Sequence, residues 1–460
     1  MGMTDDTIAA IATPVGMGGI GIIKISGEKA LDIATRVFRP RNASPPLKSH
    51  FLYYGEIFDP HKQCAIDEVL LSFMAKPRSY TREDVVEINC HGGYLALQET
   101  LALILKAGAR LAEPGEFTKR AFLSGRIDLA QAEAVADLIE SKTSLSLLHT
   151  SSQLKGTLSR EISDLKDMLV DILSALEASI DFPEEDLAFA PSSQLTAQTD
   201  RLLSRIETLL CSYDEGKLYR EGASTIIAGK PNAGKSCLFN VLLEEERAIV
   251  TPVPGTTRDF IEEVIAVKGI PLKIIDTAGL RDPSDSIEEE GVRRTREKLD
   301  QADLVLLVID SSVKLDDRDR SLFSDVSGKR VVVVENKNDL PGKIPHDTMQ
   351  GWFPESRAVS ISALYRKGIE ELKEAIFSSL TAEVHSLSSP LLISNLRHKR
   401  ALEKTLESIQ RAREGLQKKI PPEFTASDFQ AALHSLGEIT GHTTSEEILN
   451  QIFSRFCIGK

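Results

Sequence analysis

No uninterrupted apolar run in this 460-residue chain approaches the ~18–20 residues that a membrane helix needs, so no membrane-spanning role is expected. Met1 to Thr7 lacks the basic start and apolar core of a secretion signal. Cysteine is sparse: Cys64, Cys90, Cys211, Cys237 and Cys457 form no C-x-x-C pair. That odd, scattered set excludes a zinc ribbon and a disulfide-stapled miniprotein, and it fits a reducing, cytoplasmic setting. Basic charge is not in excess either, with 55 Lys and Arg against 68 Asp and Glu, formally −13. Such a chain does not bind nucleic acid through its global field, so any RNA contact must use a local basic patch or a partner's surface. Internal repeats and low-complexity tracts are missing as well.

What is present is an ordinary globular balance, 42 % apolar and 27 % charged, in a length that suggests about three domains. The first ~120 residues mix strand-like and helix-like pieces. Gly21 to Ile25, Glu68 to Phe73 and Asp84 to Asn89 read as strands, and Tyr94 to Lys106 as a helix stopped at Gly108. From Leu129 to Ile180 the strand signal disappears. Leu154, Leu158, Ile162, Leu165, Leu169, Ile172 and Leu176 step by three and four, which puts one apolar stripe on a long helix ended at Asp181-Phe182-Pro183. Leu195 to Tyr213 reads as another amphipathic helix. Short β-rich runs at Ser224 to Ala228, Leu272 to Ile275, Leu304 to Ile309 and Arg330 to Val334 then alternate with helical stretches, the pattern of a doubly wound parallel sheet. Past about Leu380 the chain is helical again. Neither helical flank alone offers much core, so the α/β block is expected to be inserted into one helical domain; two separate small bundles are the alternative.

Gly229-Lys230-Pro231-Asn232-Ala233-Gly234-Lys235-Ser236 matches G-x-x-x-x-G-K-[ST] between a strand and a helical stretch from Cys237 to Leu243. Such a loop closes backbone N–H groups around phosphates at a helix N-terminus. Lys235 would reach the β- and γ-phosphates and Ser236 would ligate Mg²⁺. Pro254-Gly255-Thr256-Thr257-Arg258-Asp259 can add a threonine hydroxyl to the metal, here Thr257. Asp276-Thr277-Ala278-Gly279 fits a D-x-x-G turn whose glycine N–H can sense the γ-phosphate. Asn336-Lys337-Asn338-Asp339 fits N-K-x-D, whose carboxylate accepts two hydrogen bonds from guanine and none of that pair from adenine. Ser362-Ala363, followed by Leu364, is placed to support the base. Five such pieces in order point to guanine nucleotide.

Leu280 stands where small signalling GTPases place a water-orienting glutamine. An apolar side chain cannot orient water, so hydrolysis needs other help. Asn232 and the carbonyls around Thr251 and Val253, in the loop that continues through Pro252 to Thr256, can hold a monovalent cation that does the work of an arginine finger. Glu288, Glu289 and Glu290 lie in the adjacent loop and can supply an acid; they also suit a solvated helix start.

These GTPase pieces resemble those of the bacterial and organellar MnmE (TrmE) family of tRNA-modification GTPases, within the TrmE-Era-EngA-like group. The likeness runs through the whole chain: Asp6 to Pro14, Gly18 to Gly21, His91-Gly92-Gly93, Pro114 to Thr118, Asp128 to Ala134 and the terminal Phe456-Cys457-Ile458-Gly459-Lys460. It implies a folate-binding-like α+β domain over 1–120 that mediates homodimerisation. It also implies a helical domain in two parts, 121–217 and 381–460, with a GTPase domain inserted over 218–380. It implies a potassium ion held by Asn232, Thr251, Val253 and Thr256, GTPase domains that pair across the nucleotide, and a catalytic glutamate matching Glu288. With the flavoprotein MnmG, which carries FAD, family members place an aminomethyl or carboxymethylaminomethyl group on C5 of the wobble uridine of certain tRNAs. A reduced folate, 5-formyl- or 5,10-methylene-tetrahydrofolate, supplies the one-carbon unit.

Carried over residue by residue, the folate site is Lys24, Glu87, Arg126 and Lys460. Some relatives have arginine at the first position and lysine at the third, so charge is kept and fork geometry is not. Glu87 also reads as a polar residue at a strand end and Lys460 as a frayed terminus. Cys457 reads either as a residue of the tRNA chemistry or as a buried thiol at a helix end. Prenylation of C-I-G-K is discarded because a terminal lysine is atypical of that motif. Arg397 to Lys419 carries eight basic side chains against three acids, an excess of five, which fits either tRNA phosphate contact or a solvated helix face with i,i+4 pairs. Two rival functions stand beside the family reading: a ribosome-assembly GTPase switch of the Era/Der type, and a folate-storing structural dimer with a vestigial GTPase. No G-x-x-G lies in a basic setting that would mark the RNA-binding appendage of the first.

Overall fold

The computed structural model describes residues 6–14, 16–41, 46–181, 192–246, 262–275, 302–326, 328–342, 356–382, 392–418 and 420–460. The chain divides into two compact units, one of Met1–Ala136, Gln153–Asp164 and His434–Lys460, the other of Asp137–Ser152 and Leu165–Leu433.

The first unit is built on a seven-stranded sheet. Its strands are β1 (Ile8–Ile11), β2 (Gly18–Ser26), β3 (Phe38–Pro40), β4 (Leu52–Asp59), β5 (Cys64–Met74), β6 (Val85–Gly92) and β7 (Arg110–Leu111), in the order β3-β4-β5-β6-β2-β1-β7. All pairings are antiparallel except β1 with β7. Side chains alternate between the faces of each strand. Ile23, Ile25, Ile57, Leu71 and Ile88 point into a core closed by helices Ala30–Val37 and Tyr94–Lys106, through Ile33, Leu97, Leu103 and Ile104. Leu52, Tyr54 and Leu70 stay exposed, and Tyr54 sits opposite Leu70 in the ladder. Helices Glu116–Leu123 and Glu446–Phe453 complete the unit, with Phe453 and Phe456 buried against Leu129 and Ala132.

The second unit holds a six-stranded sheet of β8 (Ala223–Ala228), β9 (Glu262–Val267), β10 (Ile270–Ile275), β11 (Leu304–Asp310), β12 (Val331–Asn336) and β13 (Arg357–Ser360), ordered β13-β12-β11-β8-β10-β9. Five strands are parallel; β9 pairs antiparallel with β10 at the edge. Leu304, Leu306, Val308, Val332 and Val334 face one core, which helices Lys235–Glu246 and Ile369–Thr381 cover. Val305, Leu307, Ile309 and Val333 face another, against Val326 of helix Asp317–Val326. Both faces are buried, and this is why these strands read as unbroken apolar runs. The expected doubly wound sheet is thus present, with two strands beyond those expected from the sequence, the antiparallel β9 and the parallel edge strand β13.

The helical segments follow the apolar stripe with one difference and one addition. Leu158, Ile162, Leu165, Leu169, Ile172 and Leu176 are buried along helix Thr157–Asp181, but Leu154 belongs to a separate helix, Ser144–Leu154, that ends before Gly156. The helix expected over Leu195 to Tyr213 is Ser192–Cys211, and a further helix, Tyr213–Glu221, follows it. Helix Ser192–Cys211 packs along Leu396–Lys418, and Pro422–Thr440 follows it in the chain.

Gly216 lies in helix Tyr213–Glu221 where a Cβ would overlap the backbone carbonyl of Ile393. Helix propensity alone favours alanine over glycine by about 1 kcal/mol. The obstacle here is backbone and cannot rotate aside, so packing outweighs propensity. Gly216→Ala should therefore destabilise the protein by about 1–3 kcal/mol, read as a lower denaturation midpoint; an unchanged or raised midpoint would refute the close approach.

Candidate functional site

Strand β8 delivers the chain into the glycine loop, and helix Lys235–Glu246 begins at its end. Asn232 and Gly234 both adopt positive φ, +63° and +97°. The loop therefore curls so that successive backbone N–H groups can converge on an anion. The Lys235 ammonium donates to the carbonyls of Gly229 and Lys230, each at 2.8 Å, which holds it over the loop. Ser236 and Cys237 are exposed in the first helical turn and Ala233 is buried. Lys230, which the motif leaves unspecified, is anchored by Asp319 at 2.6 Å and Asp316 at 3.0 Å.

The N-K-x-D residues meet this loop through one side chain. Asn336, only 3 % exposed at the end of β12, donates from Nδ2 to the Ala233 carbonyl at 2.9 Å. Its Oδ1 accepts the Ala363 N–H at 3.0 Å. A Cβ on Gly234 would overlap the Asn336 amide nitrogen, so only glycine fits there. Lys337 pairs with Asp310 at 2.5 Å. Burial raises the Asp310 carboxyl, but hydrogen bonds from Lys337 and Ser312 outweigh it and the net pKa is lowered. Ser362 donates its hydroxyl to Asp339 at 2.5 Å and accepts the Tyr365 N–H at 3.3 Å. Leu364 is exposed. The geometry thus brings Asn232 to Cys237, Asn336, Lys337, Asp339 and Ser362 to Leu364 to the C-terminal end of the parallel strands, where ligands bind in open α/β sheets. Thr251, Pro252, Val253, Pro254, Gly255, Thr256, Thr257, Asp276, Thr277, Ala278, Gly279 and Glu288 lie outside the described residues.

In the first unit, Lys24 of β2 and Glu87 of β6 are ladder partners with a 3.8 Å ion pair. The Lys24 ammonium lies 5.3 Å from the Tyr80 ring centre and 5.5 Å from that of Phe117. The Arg126 guanidinium lies 4.7 Å from the same Tyr80 ring, a cation–π distance. Tyr80 and Thr118 share a hydroxyl hydrogen bond of 3.0 Å. Burial lowers the Lys24 pKa, Glu87 opposes that, and the charge of Lys460 adds to it. Lys460 is not frayed: its carbonyl accepts the Phe117 N–H at 3.2 Å. Lys24, Glu87, Arg126 and Lys460 are therefore brought around Tyr80 and Phe117, two aromatic residues that no spacing rule marked as site residues. The helix that carries Phe117, Glu116–Leu123, is braced by Arg120, which is paired with Asp6 at 2.7 Å, Glu116 at 3.0 Å and Glu83 at 3.2 Å. Cys457 is exposed, which corrects the reading of a buried thiol.

Four basic side chains of helix Leu396–Lys418 are paired with acids. Arg413 pairs with Asp200 at 2.6 Å, Lys418 with Glu414 at 2.9 Å, Arg411 with Asp428 at 3.1 Å and Lys399 with Glu403 at 3.9 Å. No helix among the described residues is long and apolar enough to cross a membrane.

Comparison with known proteins places the whole chain. The pattern described as the GTP-binding protein TrmE N-terminus matches residues 7–126, and that of the MnmE helical domain matches residues 129–457. The second match spans both helical flanks, so they belong to one helical domain that the GTPase block interrupts. The tRNA modification GTPase MnmE of Syntrophus aciditrophicus is 49 % identical over 458 residues, covering 100 % of both chains. That of Geotalea uraniireducens is 48 % identical over 457 residues, covering 99 % of each. Among solved structures, Aquifex aeolicus Era bound to GDP and aluminium fluoride is 29 % identical, covers 40 % of this chain and 66 % of its own, and has a TM-score of 0.28. Full-length identity of this size, together with the helical-domain match over more than half the sequence, establishes that the chain belongs to the MnmE (TrmE) family of tRNA modification GTPases.

Proposed function

We propose that this protein is a potassium-stimulated GTPase that works with the flavoprotein MnmG. Together they install a carboxymethylaminomethyl or aminomethyl group on C5 of the wobble uridine of certain tRNAs, with a folate one-carbon unit, in the cytoplasm. The observation that carries the GTP part is the single buried amide of Asn336, which ties the phosphate loop to the Ser362-Ala363 backbone beside Asp339. Base-selecting and phosphate-binding elements are thereby held in one rigid cradle, as guanine-nucleotide recognition requires.

In this reading Asp339 accepts the guanine N1–H and amino group, and Lys235 leaves its loop carbonyls for the β- and γ-phosphates. Ser236, exposed in the first helical turn, and Thr257 hold Mg²⁺. Asn232, Thr251, Val253 and Thr256 hold K⁺. These cations supply positive charge to the phosphoryl oxygens during transfer. Glu288 takes up the water-activating role that Leu280 cannot fill. Water attacks the γ-phosphorus and the bond to the β-phosphate oxygen breaks, leaving GDP and phosphate. GTP contributes no atom to the uridine product, so hydrolysis serves as a conformational switch.

Among the described residues, Lys24, Arg126 and Lys460 gather near the Tyr80 ring, with Glu87 paired to Lys24. Under-compensated cations beside aromatic faces suit a folate, whose carboxylates and flat ring need both. Cys457, exposed in the tail, is assigned to the tRNA chemistry. Leu52, Tyr54 and Leu70 form an apolar surface on the sheet that supports a homodimer through the first unit. The domain limits in this reading are 1–120, 121–217, 218–380 and 381–460. A ribosome-assembly role of the Era/Der type has no observation of its own to favour it.

Three measurements test this reading. Asp339→Asn should weaken GTP at least about tenfold relative to xanthosine triphosphate, since one of two charge-assisted hydrogen bonds is lost; an unchanged preference would remove Asp339 from base recognition. Initial GTP hydrolysis should be at least about tenfold faster in KCl than in NaCl at equal ionic strength; equal rates would mean that Asn232 and its loop build no selective cation site. Arg126→Ala should weaken 5-formyl-tetrahydrofolate binding about tenfold while leaving GTP hydrolysis unchanged; undiminished folate affinity would place that ligand elsewhere.

A further inference from the structure

Strands β9 and β10 form one hairpin whose two ends lead directly to candidate nucleotide segments. Glu262, which opens β9, follows Thr257 by five residues, and Ile275, which ends β10, is followed by Asp276. The turn at the far end of the hairpin, Lys268-Gly269, is seated on a segment that precedes the GTPase block by a long stretch of sequence. Thr143 Oγ1 donates a 2.8 Å hydrogen bond to the Gly269 carbonyl. The same oxygen accepts the Ser146 N–H at 3.2 Å and so caps helix Ser144–Leu154. Gly269 has φ +87°, and the Leu145 side chain fills the space where its Cβ would lie. Leu145 also packs against the buried cluster that contains Ile265, Val267 and Ile270 of the hairpin itself. Two further contacts tie this segment to helix Tyr213–Glu221, which enters β8: Asp137 with Arg220 at 2.9 Å, and the His149 ring stacked on Tyr219 at 5.2 Å.

The hairpin is paired rung by rung from Ile270 opposite Val267 to Ile275 opposite Glu262. Six residues of strand span about 20 Å. A ladder of this kind moves as a unit, because a slip of one residue would exchange its buried and exposed faces. The pairing of Leu272–Ile275 with β8 anchors this unit on one side and the seated turn anchors it at its far end, so the turn helps to set the position of both distant ends. We propose that Thr143 and Leu145 are positioning residues for GTP hydrolysis: by seating the Lys268-Gly269 turn they set where β9 and β10 receive and release the chain at the nucleotide. This inference rests on the GTPase reading above. The phosphate loop and the N-K-x-D residues are carried by β8 and β12, outside the hairpin, so nucleotide affinity and turnover should separate.

The test is GTP turnover by the full-length protein in potassium, beside the Kd for a non-hydrolysable GTP analogue and the melting temperature. Thr143→Val keeps the shape and removes the hydroxyl; it should lower kcat about fivefold with the Kd changed less than about twofold. Thr143→Ser should retain the parental kcat. Leu145→Ala, which leaves the hydroxyl in place, should lower kcat independently and keeps the inference testable if Thr143→Val folds poorly. Loss of the helix cap alone would lower the melting temperature and leave kcat untouched, and that result would overturn the proposal. So would a parental kcat in both Thr143→Val and Leu145→Ala, or an equal loss in Thr143→Ser. Absence of GTP turnover in the unmodified protein would instead remove the GTPase reading itself.

Discussion

The Asn336 side chain makes two hydrogen bonds from a position only 3 % exposed, one to the Ala233 carbonyl and one from the Ala363 N–H. Three loops that are remote in sequence meet at this amide. If it were lost, a buried carbonyl and a buried N–H would be left without partners, at about 1–3 kcal/mol each. The same amide forces glycine at position 234, because any side chain there would occupy its place. The register of β12 against β11 sets where the amide sits, since Asn336 is opposite Asp310 in the ladder. Asp310 in turn holds Lys337. Sheet pairing, loop curvature and the spacing between base and phosphate elements are thus consequences of one local satisfaction problem.

Burial on two faces explains why the GTPase sheet could be read from the sequence. Val332 and Val334 enter one core and Val333 the other, so β12 has no solvent side and its sequence no polar alternation. In the first unit β2 was readable for the opposite reason, with Ile23 and Ile25 inward and Lys24 between them, whereas β1, β3, β4 and β7 are not marked by the sequence pattern. Strands β9 and β13 carry no strand pattern of their own, because Glu262 to Val267 opens with two acids and Arg357 to Ser360 is short and half polar; pairing with β10 and β12 makes them strands. Gly156 broke the apolar stripe at a point where periodicity alone ran on from Leu154 to Leu158. These are cases where tertiary context decides between continuations that local pattern leaves equal.

The candidate sites divide along the same line. The phosphate loop and the N-K-x-D residues are contiguous motifs, so spacing exposes them. Tyr80 is a lone aromatic in a polar stretch, and nothing nearby in sequence marks it as the ring shared by Lys24 and Arg126. Arg120 looks like an ordinary helix residue, yet it gathers carboxylates from Asp6, Glu83 and Glu116 that only the fold brings together. The tail shows the same limit: Lys460 reads as a frayed end until its carbonyl is seen to accept from Phe117.

Charge compensation separates the two basic regions that composition alone makes look alike. On helix Leu396–Lys418 the excess of five seen in sequence is reduced by two acids from outside the stretch, Asp200 and Asp428. Exposed pairs of this sort contribute about 0–1 kcal/mol each, so an RNA phosphate could displace them at little cost. What they do weaken is the net field that would draw a polyanion toward the helix from a distance. Around Tyr80 the balance is reversed. Lys24 is 13 % exposed, its pKa is lowered by burial and by Lys460, and Glu87 at 3.8 Å is the carboxylate that opposes the shift. A partly desolvated cation with incomplete compensation gains more from an arriving carboxylate than a solvated, already paired one does, because the burial penalty is present before the ligand arrives. On an acidic protein, anion capture is therefore favoured where positive charge is enclosed and under-compensated rather than where it is most abundant.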